Sequence, residues 1–474
     1  MKKQFKKISC LVLAITLLLS ASINIYASEI DYEKLDSDID FMKFVIEFVN
    51  ENYQYDINQD DIITALYYGF FGLLDDYSVY FTQEQYQEFE TEMLGEFGGI
   101  GVQITQEKDK LIVTMPLPGT PALKAGIKTG DEIISVNGKS VVGFTTTGVS
   151  KLIRGEVGTV VKIGIKRGNS ELFFNIKREI VVVSSVESKI LDNKTGYLKI
   201  TEFNDNTTAQ VEEALKNFDK NKVSKIILDV RDNPGGSLAT VVDILNFFVP
   251  EGPLLYVNYK AFGEEVYESN LDKQKYKVCV LVNENSASAA EIFAGAIQDR
   301  GVGKIIGTTT YGKGVVQSLI SIDFLKAYFD PSYDNGGAVK FTTAEYFTPN
   351  KNKVQGVGIK PDIVIENKVG QTKVDLSTYP ELKKDRKPTL NTVGLDVLGA
   401  EMILQTLGYK INTPDGILDQ VTFEQIKLFQ KNNNLSPYGI LDFATQDALT
   451  SALKLFAAPD VEDTQLKKAI EILK

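Results

Sequence analysis

A run of small and polar residues, Asn285-Ser286-Ala287-Ser288-Ala289-Ala290-Glu291, passes from a strand-like stretch straight into a helical one that reaches Asp299. This spacing puts Ser288 at a helix N-terminus, where unpaired backbone N–H groups and the helix dipole stabilise negative charge. A serine so placed is well set to attack a carbonyl, although a plain serine N-cap reads the same way. The chain has no histidine, which excludes a Ser-His-Asp triad, a Cys-His dyad and His-ligated zinc. The arrangement left for activating a serine is a lysine whose pKa, ordinarily about 10.4, is lowered by burial.

Lys313, in Thr308-Thr309-Thr310-Tyr311-Gly312-Lys313-Gly314-Val315-Val316-Gln317, is the candidate base. Its flanking glycines let the backbone pass closely, and the strand pattern that follows puts Lys313, Val315 and Gln317 on one face, so that Gln317 could hold the amine. Gly307 to Lys313 also fits the P-loop spacing, but Gly314 stands where Ser or Thr is required and a strand follows where a helix should. Asp229-Val230-Arg231-Asp232-Asn233-Pro234-Gly235-Gly236 ends a buried strand and turns into a helix. Gly235 and Gly236 can free backbone N–H groups there for an acyl oxygen, or simply serve the turn. Asp299, three turns along the helix from Ser288, could brace a neighbouring group or pair with Arg300.

These residues need a frame, and 474 residues suffice for about three domains. Residues 28–95 show a helical period, with Phe41, Phe44, Val45, Phe48 and Val49 on one stripe. Residues 96–183 read as short strands between glycine-rich turns, and 184–366 as β-branched runs alternating with helices, an α/β layer pattern. A polar linker, 367–390, leads to a helical segment, 391–456, and a tail helix, 457–474. Within that segment Gly416-Ile417-Leu418-Asp419-Gln420-Val421-Thr422 recurs as Gly439-Ile440-Leu441-Asp442-Phe443-Ala444-Thr445. The expected class is multidomain α+β.

Five motifs together resemble the carboxy-terminal processing serine peptidases, family S41: the Asn285 to Asp299 and Thr310 to Gln317 segments, the Asp229 to Gly236 turn, Gly196-Tyr197-Leu198-Lys199-Ile200, and Gly356-Val357-Gly358-Ile359-Lys360-Pro361-Asp362. The resemblance implies a ClpP/crotonase-like core with Ser288 as nucleophile, Lys313 as general base and Gln317 orienting it. It implies an oxyanion hole made by the Ala289 N–H and one glycine of the Gly235-Gly236 pair, and no cofactor or metal. One departure is Ala290, where the family often carries serine. Gly98-Gly99-Ile100-Gly101-Val102, with Thr120 to Gly138, resembles a PDZ module, which grips a peptide's C-terminal carboxylate with loop amides. The substrates implied are proteins with apolar, unstructured C-termini. Lying between two stretches of catalytic chain, this module could gate the site, with Arg154 as a lever. Residues 391–456 resemble a small helical peptidoglycan-binding domain.

Lys2, Lys3, Lys6 and Lys7 followed by the apolar run Ile8 to Leu19 read as an export signal, either cleaved at Ala27-Ser28 or in the Ser20-Ala21-Ser22 stretch or kept as an anchor, so the expected site of action is the outer face of the cell membrane or the envelope. Lys+Arg 51 against Asp+Glu 63 gives a net charge of −12, which argues against a nucleic-acid partner. Two cysteines, Cys10 and Cys279, make no disulfide framework. A catalytically silent PDZ and peptidoglycan scaffold is the rival reading, a cell-wall hydrolase has no marked pair of carboxylates, and a homo-oligomer is left open.

Overall fold

The computed structural model describes residues 30–107, 110–168, 170–192, 194–329, 336–369, 374–433, 435–457 and 461–474. The expected export segment therefore lies outside the described residues. Among those described, no helix is long and apolar enough to cross a membrane. Among the described residues the chain forms two units: one holds those from 30 to 97 together with 180–365 and 468–474, the other holds 98–179 and 366–467.

The first unit opens with helices α1 (Tyr32–Asn52) and α2 (Gln59–Phe71), strand β1 (Val79–Phe81) and helix α3 (Gln83–Leu94). Each helix begins at a residue that the sequence marks as a cap: Asp31 accepts from the Lys34 N–H, Asn58 from Asp60, and Thr82 forms a capping box with Gln85. The apolar stripe expected on α1 is present but uncovered, with Phe41, Phe44 and Phe48 exposed and ringed against one another. Phe71 and Tyr80, by contrast, are buried in a cluster with Ile322 and Val339.

The β-rich domain contains β2 (Val102–Glu107), β3 (Lys110–Pro116), α4 (Pro121–Ala125), β4 (Glu132–Val136), α5 (Thr146–Ile153), β5 (Val160–Arg167) and β6 (Ser170–Lys177). Its strands run antiparallel in the order β2-β3-β4-β5-β6. Ile100, Val113, Val149, Ile163 and Ile165 close a separate core between sheet and α5.

The α/β core follows with β7 (Val186–Ile190), β8 (Gly196–Ile200), α6 (Thr207–Lys220), β9 (Lys225–Asp229), α7 (Leu238–Leu245), β10 (Gly252–Tyr259), β11 (Gly263–Ser269), β12 (Lys277–Val282), α8 (Ala289–Asp299), β13 (Gly303–Gly307), β14 (Val315–Ser321), α9 (Ile322–Phe329), β15 (Ala338–Phe347) and β16 (Ile363–Val364). One sheet is ordered β7-β8-β9-β12-β13-β16 and is parallel from β8 onward. Buried on both faces, its central strands are continuous apolar runs, Ile226-Ile227-Leu228 and Val278 to Val282. The second sheet is antiparallel: β15 pairs with β1, β10 and β14, and β11 pairs with β10. Helix α8 is buried from Ala289 to Ile297, which its alanines and Gly295 permit, and Phe293 packs on Phe203 and Phe248. Each such side chain contributes about 1.5–3 kcal/mol by burial, so this cluster anchors the helix whose first turn carries Ser288.

The last domain comprises α10 (Leu395–Thr406), α11 (Gln420–Asn432) and α12 (Phe443–Ala457), and α13 (Thr464–Ile472) closes the chain. The repeat is visible in its packing. Leu418 and Leu441 are fully buried at equivalent places, and Asp419 and Asp442 cap the N–H groups of Thr422 and Thr445. The segment expected as a polar linker is partly folded onto this domain, because Leu382 enters the helical core with Val374 and Tyr379 beside it.

Candidate active site

Ser288 is the N-cap of α8, at φ 55° and ψ −115°, a conformation that side chains rarely adopt. Three neighbours hold the turn before it. Ser286 Oγ donates to Val230 O at 2.7 Å, Asn283 and Asn285 donate to Asp232, and the Ala287 N–H donates to Asn233 O. Those two amides keep the Asp232 carboxyl below the usual carboxylate range. The strand end is fixed by Asp229, fully buried, which accepts from Tyr197 Oη at 2.7 Å and from the Arg231 guanidinium.

The two glycines of this turn differ in what they offer. The Gly235 N–H donates to Asn233 Oδ1 at 2.8 Å and is committed. Among the described residues no hydrogen bond takes the N–H of Gly236 or of Ala289, and uncommitted amides of this kind can stabilise an oxyanion. Gly235 has its own reason to be glycine: a Cβ there would stand 2.8 Å from Ser288 Cβ and 3.1 Å from Ala289 N.

Lys313 precedes β14 and is half-buried, with its Nζ 4.7 Å from the centre of the Tyr77 ring. Burial pushes its pKa down, the charge of Lys340 adds to that, and Asp75 and Glu291 oppose it. The Tyr77 loop is held by Asp75, which accepts from the Tyr77 N–H and Ser78 Oγ, while Ser78 Oγ accepts from the Thr342 N–H of β15. No hydrogen bond joins Lys313 Nζ to Ser288 Oγ or to Gln317 among the described residues; such bonds are often loose before substrate binds. Gln317 donates to Thr342 Oγ1 at 3.2 Å. A bulge between Val316 and Gln317 breaks the strict alternation that the sequence suggested for this face.

Asp299 sits at the far end of α8, roughly 16 Å from Ser288 at the helical rise, and accepts from the Asn350 N–H. It braces the 348–352 turn and not the serine. Arg300 turns away from it, donating to Glu251 O and Pro253 O.

Two residues at the centre had no role in the sequence reading. Glu291, fully buried, accepts from Ser288 N at 2.9 Å, Lys313 N at 2.8 Å, Gly312 N at 2.7 Å and Thr310 Oγ1 at 2.6 Å. Tyr346 Oη lies 3.1 Å from Ser288 O and 2.7 Å from Lys313 O. Glu291 stood inside the quoted motif, and its position three residues after an N-cap serine is the signal that could have singled it out. Tyr346 carried no local signal.

In the β-rich domain the Gly98 to Val102 loop runs between Gly155 and Thr120. Its carbonyls are occupied, Gly98 O by the Gly155 N–H, Ile100 O by Ala122 and Gly101 O by Leu117. The N–H groups of Ile100 and Gly101 have no hydrogen-bond partner among the described residues, which suits a carboxylate. Arg154 is exposed at the C-terminus of α5. The buried Arg178 donates to Leu152 O, Ile153 O and Thr159 Oγ1, and so holds the end of that helix.

The family model for peptidase family S41 matches residues 194–365, the PDZ domain model residues 98–177 and the peptidoglycan binding domain model residues 394–449. The chain is 34% identical over 443 residues to the carboxy-terminal processing protease CtpA of Bacillus subtilis (strain 168), covering 93% of this chain and 91% of that protein. It is 33% identical over 441 residues to a CtpA-like serine protease of Staphylococcus epidermidis, covering 91% and 85%. A solved photosystem II D1 C-terminal processing protease is 26% identical, with a TM-score of 0.39 over 68% of this chain and 86% of that one. With relatives of that identity matched along nearly their whole length, the chain belongs to the S41 family of carboxy-terminal processing serine peptidases and carries a PDZ domain and a peptidoglycan-binding domain.

Proposed function

We propose that this peptidase is an exported endopeptidase, acting at the outer face of the cell membrane or in the envelope, which selects proteins by apolar, unstructured C-termini and cleaves them with a Ser288–Lys313 dyad. Ser288 Oγ attacks the scissile carbonyl carbon as its proton passes to neutral Lys313 Nζ. The oxyanion is held by the N–H groups of Ala289 and Gly236. Lysine returns the proton to the leaving amine, and then takes one from the water that hydrolyses the acyl-enzyme. The observation that carries this reading is the convergence of a strained serine, two uncommitted amides and a lysine of lowered pKa.

The loop amides of Ile100 and Gly101 would take the substrate's carboxylate, Arg154 would report their occupancy, Gln317 would steady the lysine once it turns toward the serine, and the last domain would dock on peptidoglycan. Since only the neutral amine accepts a proton, activity falls as pH drops through the lowered lysine pKa; a flat rate between about pH 9 and pH 5 would contradict the dyad. The direct test incubates the protein, Ser288→Ala and Lys313→Ala with an unfolded protein ending in an apolar tail and with the same protein ending in a charged tail. Cleavage by the wild type alone, faster on the apolar tail, supports the reading. Binding without cleavage favours the scaffold or a closed, partner-activated protease.

A further inference from the structure

Lys313 lies in a loop with no regular element of its own, between Gly312 and Gly314. Its separation from Ser288 must therefore be set by what the loop is tied to. One tie is Glu291, whose Oε2 accepts the N–H of both Ser288 and Lys313. A second is Tyr346 of β15, whose one hydroxyl proton is shared between Lys313 O at 2.7 Å and Ser288 O at 3.1 Å and whose own N–H donates to Gly314 O at 2.9 Å, and these add to the Tyr311 N–H bond to Ser286 O and the Gly314 N–H bond to Gln355 Oε1. The N–H and the C=O of nucleophile and base thus end on the same two buried side chains.

We propose that Tyr346 is a positioning residue for the peptidase reaction: with Glu291 it clamps the backbones of Ser288 and Lys313 at a fixed separation, so that catalysis needs only side-chain rotation. The proposal rests on the Ser288–Lys313 reading. A ring alone would fill this place in the core, so packing does not explain the hydroxyl. Burial, helped by the nearby Glu291, holds the phenol well above its ordinary pKa, and Tyr346 stays a donor wherever a neutral lysine is available.

The test is Tyr346→Phe in the full chain, read by kcat and KM on the apolar-tailed substrate, by the rate at which a fluorophosphonate labels Ser288, and by thermal melting. The expected result is a kcat lower by about 10–100-fold with KM within about twofold, a comparable slowing of labelling, and an almost unchanged melting point. Replacing Tyr346 with 4-aminophenylalanine, which keeps a donor at the same place, restores most of the loss. A kcat close to wild type, or a loss confined to KM, overturns the clamp. Should Tyr346→Phe fail to fold, Glu291→Gln is read in the same way, since it turns an amide NH2 toward N–H donors; a folded Glu291→Gln with full kcat overturns the proposal equally. Ser288→Ala and Lys313→Ala run alongside. Turnover in either removes the dyad itself, whereas two dead variants beside a fully active Tyr346→Phe remove only the clamp.

Discussion

The peptidase core and the C-terminal domain use one device for two ends. In the core, Glu291 gathers three backbone N–H groups and the Thr310 hydroxyl; in the last domain, Glu401, equally buried on α10, gathers the N–H of Asp415 and Gly416 and the Thr422 hydroxyl. At the second copy of the repeat the device becomes Gln430, which accepts from the Gly439 N–H but must also donate to Ile440 O. A carboxylate thus stands where only donors converge, and an amide where a carbonyl joins them. What separates the catalytic case is the backbone being gathered. Gly416, at φ 79°, adopts its turn freely, while Ser288, at φ 55°, bears strain of order 1–3 kcal/mol. Hydrogen bonds to a charged group, at about 1.5–3 kcal/mol each, are enough to offset it.

The largest expected contrast lies in the lysine. Lys313→Ala and Lys313→Arg should each lower turnover by at least about 10³-fold, the second because a guanidinium does not give up its proton; steady-state cleavage of a tailed substrate measures it. Next, Gly236→Ala would set a Cβ 2.3 Å from Phe203 O at a φ of 138°, displacing the amide proposed to hold the oxyanion. A loss of about 10²–10³ in kcat is expected, whereas Gly416→Ala should cost the C-terminal domain only about 1–2 kcal/mol by thermal melting and leave kcat alone. A smaller effect is expected from Lys340→Met. Removing that charge relieves Lys313 of repulsion, its pKa rises, and the acid limb of the pH profile moves to higher pH with the alkaline plateau kept; an unmoved limb would show that burial alone tunes the lysine. Last, Glu401→Ala should lower the stability of its domain by about 1–3 kcal/mol without touching peptide cleavage. A fall in kcat there would break the separation between the two uses.

What the sequence revealed was local. The serine at a helix start, the glycine pair and the lysine between glycines are types whose backbone needs show in their neighbours, and the fold class followed from apolar period and β-branched runs. What it hid depends on distant chain segments. Tyr346 lies 33 positions from Lys313 and 58 from Ser288 in sequence, and a tyrosine in a strand looks like packing until its hydroxyl is located. Choosing Gly236 over Gly235 needed the side chain of Asn233, which takes one amide and leaves the other. The bulge before Gln317 leaves no periodic mark, so the break in alternation along β14 does not show in the sequence. Arg178 follows strand β6 as any basic residue could, and only the folded domain aims it at the last carbonyls of α5.

Tyr77 bears on how short a working fragment can be. Its ring covers Lys313, yet it lies far outside the matched span of 194–365, and β1 brings it there by pairing Val79 with Lys340 of β15. A fragment starting at residue 194 would carry the serine, the lysine and both clamp residues. It would also leave an open edge on β15 and the lysine in water, where its pKa returns toward the ordinary value and the amine is protonated at neutral pH. Deleting the first ninety-odd residues should therefore silence the enzyme while leaving Ser288, Lys313 and the Gly236 and Ala289 amides in place.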